Sequence, residues 1–84
     1  MNKLLLLSLI QGLTPNNAKI LSYKYNIPLS DYEISIFLPY IKRNANSLIK
    51  LNNPSKKIYE DLSNIISIDS ISKLIFILQR LGFN

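Results

Sequence analysis

Glu60 and Asp61 are the one adjacent pair of carboxylates in the chain, and a pair of acids is where general acid–base or metal chemistry could begin. Neighbouring residues on a helix point about 100° apart, so these two cannot share a proton or an ion as an i, i+3 or i+4 pair could. Asp31 and Glu33 fall in the first turn of an expected helix, where the backbone dipole favours negative charge without any catalytic role. The ten serines have no histidine to activate them. With neither cysteine nor histidine in the chain, thiolate nucleophiles, disulfides and the usual zinc and iron ligand sets are excluded. Gly12 and Gly82 each stand alone, so no phosphate-cradling glycine loop is present. The expectation is a protein that is not an enzyme, with no cofactor and no metal.

Binding chemistry is better supplied. Between residues 42 and 57 lie Lys42, Arg43, Lys50, Lys56 and Lys57 with no acid among them, while the other five cations are matched in number by the five carboxylates. The net charge of +5 is therefore local. Lys56 and Lys57 sit just after Asn53-Pro54-Ser55, at the start of an expected helix whose free N–H groups favour anions. Lys42, Arg43, Lys50, Ser55, Lys56 and Lys57 are thus the candidate residues for an anion or a nucleic-acid backbone. Tyr23, Tyr25, Tyr32, Tyr40 and Tyr59 lie near or among the lysines, where aromatic rings can stack bases or can form a half-buried core edge. No nucleic-acid module signature accompanies them.

A second binding surface is apolar. Leu4, Leu5, Leu6, Leu7, Leu9 and Ile10 point all round a helix axis instead of along one stripe, and a fold of 84 residues can hardly bury them all. They are the candidate interface for a protein partner or a second copy. The stretch is too short to span a membrane, lacks a small-residue cleavage site and has no charged face for lying on a lipid surface. A cytoplasmic protein is expected, with membrane binding disfavoured.

Five helix starts must position these residues. Asn2 caps a first helix through Ile10, with Gly12 as its stop. Thr14-Pro15 opens a second, buried through Ala18, Leu21 and Tyr25, which ends near Asn26 because Pro28 restricts Ile27. Ser30 and Glu33 form a capping box before a third helix whose face is Ile34, Phe37, Leu38, Ile41 and Ala45; Pro39 either kinks this helix or breaks it. Residues 44–53 read as a polar connection that tucks in Leu48, Ile49 and Leu51. Asn53-Pro54 opens a fourth helix with Ile58, Leu62 and Ile65 inward, and Ile66 a further candidate. Asp69 or Ser70 opens a fifth, with Ile71, Leu74, Ile75, Leu78 and Leu81 as the cleanest stripe and Gly82 as the stop. The fold class expected is all-α, a compact bundle of about five short helices forming a single domain over residues 1–84.

From Leu13 to Gly82 the chain resembles a small family of bacterial proteins known as domain of unknown function 2624. The shared features are a Leu13-Thr14 helix start, a tyrosine-rich helix end with Tyr25-Asn26-Ile27, a capped helix, a polar connection and two more helices. The resemblance implies a short helical fold and supplies no activity.

Overall fold

Each helix begins where a side chain can accept a backbone N–H that the helix itself leaves free. In this computed structural model, which describes residues 2–83, Asn2, Thr14, Ser30, Asn53 and Ser67 cap five helices: α1 (Lys3–Gly12), α2 (Pro15–Lys24), α3 (Asp31–Leu48), α4 (Pro54–Leu62) and α5 (Ile68–Leu81). No strand occurs among the described residues. The capping box is complete: Glu33 N–H donates to the Ser30 hydroxyl at 3.1 Å, and Ser30 N–H donates to the Glu33 carboxylate at 2.8 Å.

Two helix ends reverse the chain in the same way. After α5, Gly82 takes a φ of 123°, its N–H donates to the Gln79 carbonyl, and Phe83 N–H donates to that of Leu78 while its ring folds back into the core. After α2, Asn26 takes the left-handed position at φ 59°, Asn26 N–H donates to Tyr23 and Ile27 N–H to Ser22. Ser22 is fully buried there. Its hydroxyl donates to the Lys19 carbonyl and accepts the Leu29 N–H, which fixes the returning loop against α2.

Several boundaries differ from those the sequence suggests. Gly12 does not stop α1: it is the last helical residue, and Leu13 forms the cap in an extended conformation. Helix α3 runs unbroken through Pro39 and on to Leu48, so the first half of the expected connection is helical. Proline is tolerated because Pro39 and Ser35 are both exposed, and the Ser35 carbonyl that loses its i+4 donor is not sealed in the core. The true connection is 49–53, where Ile49 is buried and Leu51 is exposed. Helix α4 ends at Leu62, leaving Ile65 beyond it and 55% exposed. Helix α5 starts earlier than Asp69 because Ser67 is its cap.

Helix α3 is the central element, packed against both α1 and α2, while α4 packs on α5. The common core joins Leu6 and Ile10 of α1 with Phe37, Ile41 and Leu48 of α3, Ile58 and Leu62 of α4, and Ile71, Leu74 and Leu78 of α5. Polar ties lock the helices together at its edge. Glu33 is buried and accepts from the Ser70 hydroxyl at 2.5 Å and the Lys73 ammonium at 3.4 Å, joining the starts of α3 and α5. Lys42 donates to the Gln11 carbonyl at 3.0 Å and the Gln11 amide donates back to the Lys42 carbonyl at 2.8 Å, joining the end of α1 to the middle of α3. Lys19 pairs with Asp31 at 2.9 Å between α2 and α3.

Candidate functional site

Leu5, Ser8, Leu9 and Gly12 fall at i, i+3, i+4 and i+7 of α1 and so share one stripe; Asn17, Ile20, Leu21 and Lys24 repeat that spacing on α2. Between the two stripes runs a groove of about 490 Å³ lined by Ser8, Leu9, Gly12, Leu13, Asn17, Ile20, Leu21 and Lys24. Its lining is largely apolar, with Ser8, Asn17 and Lys24 as the polar members, and exposed apolar side chains lie on or near it. Ile20 is 66% exposed, Leu5 58%, and Leu4, one residue off the stripe, 79%.

The apolar interface expected from α1 therefore divides. Leu6 and Ile10 are 1% and 0% exposed and belong to the core, so they cannot meet a partner. Leu7 and Leu9 are half-buried and pack against that core. Leu4 and Leu5 are the members of the set that face outward. Ile20 was not among the candidates, because the α2 stripe of Ala18, Leu21 and Tyr25 accounts for that helix as a simple amphipathic one. Its signal was available: an isoleucine about 100° or more round the helix from each of Ala18, Leu21 and Tyr25.

The basic candidates are also separated by the fold. Lys42 turns toward α1, held by Gln11. Arg43, one residue on, lines a different groove of about 590 Å³ between α3 and α4, together with Ser35, Tyr40, Asn44, Lys57 and Asp61 over a floor that includes Ile36 and Leu62. In that groove Lys57 pairs with Asp61 at 2.7 Å and the Tyr40 hydroxyl donates to the same carboxylate at 2.6 Å. The Lys57 ammonium, then the Tyr40 hydroxyl, hold Asp61 below the usual carboxylate range, and Asp61 in turn raises Lys57. Burial, then the bond to Asp61, pushes the Tyr40 phenol above its ordinary value. Lys50 and Lys56 are exposed, Ser55 is half-buried, and the N–H of Lys56 is already taken by the Asn53 side chain at 3.4 Å. The structure brings Arg43 and Lys57 to one groove and leaves Lys42 on another side of α3.

Of the tyrosines, Tyr25 lies under the Arg80 guanidinium, 5.5 Å from its ring centre, and Tyr59 shares a hydrogen bond with Ser72 at 2.8 Å. Tyr23 and Tyr32 are exposed. Among the described residues no three of Asp, Glu, His and Cys gather as a metal site would require, and no helix is long and apolar enough to cross a membrane. No protein-family model, curated protein or solved structure matches the chain.

Proposed function

We propose that the protein is a small non-enzymatic interaction module that docks another polypeptide on the face formed by α1 and α2. What carries this reading is exposed Ile20 on the wall of a largely apolar groove that no other described residue fills, with exposed Leu5 one turn back along the same α1 stripe and Leu4 next to it. Isolated surface leucines are ordinary, but exposed apolar side chains gathered at a groove are a recurring feature of docking sites. Ile68 and Phe76 are exposed too, yet they stand two turns apart on α5 and line neither groove.

The test compares wild type with a Leu5→Glu, Ile20→Glu double variant in sedimentation of the pure protein and in affinity capture from the native host. Both substituted positions are exposed, so circular dichroism should be unchanged while self-association or the captured protein is lost. A monomeric wild type that retains the same proteins as the variant overturns the reading.

Anion or nucleic-acid binding is the second reading, and Arg43 and Lys57, which line one groove from its two helices, favour it. It predicts oligonucleotide binding that falls steeply with salt and is lost in an Arg43→Glu, Lys57→Glu variant. Binding that is absent at low salt removes it.

A further inference from the structure

We propose that the groove between α3 and α4 binds a small amphipathic monoanion, a carboxylate on an aliphatic chain, with its head on Arg43 and its chain laid toward Ile36 and Ile65. This rests on the second reading, in which Arg43 and Lys57 serve an anion, and it replaces a nucleic-acid backbone by a ligand of single charge.

Charge complementarity decides the head group. Both oxygens of Asp61 are occupied from within the protein: Lys57 donates to Oδ1 at 2.7 Å and the Tyr40 hydroxyl to Oδ2 at 2.6 Å. Lys57 is thereby neutralised. The ion pairs among the described residues are those of Lys19, Lys57 and Lys73, and Arg43 enters none of them. The other polar side chains of the lining have also spent donors inside the fold, Asn44 on the Tyr40 carbonyl at 2.8 Å and Ser35 on the Tyr32 carbonyl at 2.6 Å. The guanidinium of Arg43 is thus the uncompensated charge of the groove, and its planar fork fits a carboxylate through two parallel N–H···O bonds.

The lining charges, Arg43 and Lys57 against Asp61, sum to +1, which one carboxylate matches. A phosphate monoester carries close to two negative charges at neutral pH and would hold the second beside Asp61. A nucleic-acid backbone needs a row of cations, and here the row is broken. Lys42 turns toward Gln11, and Lys50 and Lys56 line no part of this groove.

The apolar residues set the body of the ligand. Ile36 lies seven residues before Arg43 on α3, which is on the order of 10 Å along the axis. Pro39 falls between them, and Leu62 and Ile65 line the same groove from α4 and the turn after it. Ile65 is 55% exposed and adds nothing to the core, yet its N–H is held by the Leu62 carbonyl at 2.9 Å. A chain of about eight carbons in zigzag, with bonds of about 1.5 Å, covers that length. The space of about 590 Å³ falls in the range of small-ligand sites.

Calorimetric titration of the full chain with octanoate, acetate and octanol at constant ionic strength tests this. Octanoate should bind with a dissociation constant on the order of 1 mM, as a ligand of this size reaches at an open site. Acetate and octanol should each bind about tenfold more weakly, since each keeps only one half of the recognition. Arg43→Gln and Ile65→Ser should each weaken octanoate by about tenfold, with helicity and melting unchanged because both positions are exposed. Lys50→Gln, outside the groove, should bind as wild type. Octanoate binding that ignores Arg43→Gln or Ile65→Ser, or that octanol equals, overturns the proposal. Oligonucleotide binding that needs Arg43 and Lys57, with octanoate not bound, overturns the aliphatic carboxylate and leaves the second reading standing. Absence of both overturns both.

Discussion

Six of the ten residues of α1 are leucine or isoleucine, and two of them, Leu6 and Ile10, are buried; eight of the fourteen residues of α5 are apolar, and six of those are buried. The residue types are nearly the same. What differs is how much of each circumference the fold covers: α5 carries the longer consecutive run, Leu74 to Leu78, and buries all of it but Phe76, whereas of Leu4 to Leu7 only Leu6 is buried. A helix packed along one side can bury only part of such a run, however hydrophobic it is. Helix α5 is embedded over a broad face, and α1 supplies the core with one stripe and solvent with the rest.

The largest effect should come from α5. Ile71→Ala, at a position with no exposed surface, should cost about 2–5 kcal/mol in chemical denaturation, while Leu4→Ala should stay within roughly 0.5 kcal/mol. The same contrast exists between neighbours: Leu6→Ala should behave like Ile71→Ala and Leu5→Ala like Leu4→Ala. Equal losses at Leu5 and Leu6 would break the division of α1 into a core stripe and an outer face.

Glu33 sharpens the comparison because it grips α5 through a buried carboxylate, whereas the polar tie of α1, Gln11 with Lys42, is exposed. Burial raises its pKa, but the Ser30 N–H, the Ser70 hydroxyl and the Lys73 ammonium together carry it below the ordinary glutamate value. A depressed carboxyl adds stability that is fully present above its unfolded pKa and is lost as pH falls through the lower folded one. Glu33→Ala should cost about 1–3 kcal/mol at neutral pH, since Ser30 N–H and Ser70 lose their acceptor. Titrating urea stability toward acid, wild type should lose more than Glu33→Gln. Parallel curves would place the acid sensitivity in other groups.

Ser30→Ala removes one half of the capping box and should cost about 1 kcal/mol. This motif was legible in full, as were the caps at Asn2, Thr14 and Asn53 and the Gly82 stop, because each depends on local backbone geometry that a few adjacent residues determine. The run of α3 through Pro39 was not legible, since it depends on where the freed Ser35 carbonyl faces once the helix is packed. The link from Glu33 to Ser70 joins residues 37 apart, and the division of the α1 leucines follows from which side α3 occupies. Ser67 was passed over as a cap because Ile68 after it is exposed and adds nothing to the buried stripe. The candidate site suffered most: Ile20 and Gly12 matter only through the groove that two helices make together.

The smallest effect separates the two roles a helical glycine can have. If Gly12 ended α1 by a left-handed turn, as Gly82 ends α5, replacing it by alanine would strain the backbone and destabilise the protein. Gly12 is instead helical, its missing Cβ faces open space, and Leu13 forms the cap. Gly12→Ala should therefore stabilise the dilute monomer, by about 0.5 kcal/mol at a helix end where fraying reduces the full propensity gain. Gly82→Ala should do the opposite, because φ 123° is a conformation that an L side chain adopts only under strain. Thermal melts of both variants at concentrations too low for association give the comparison directly. A destabilised Gly12→Ala would mean that the bare backbone of α1 serves the fold of the single chain after all.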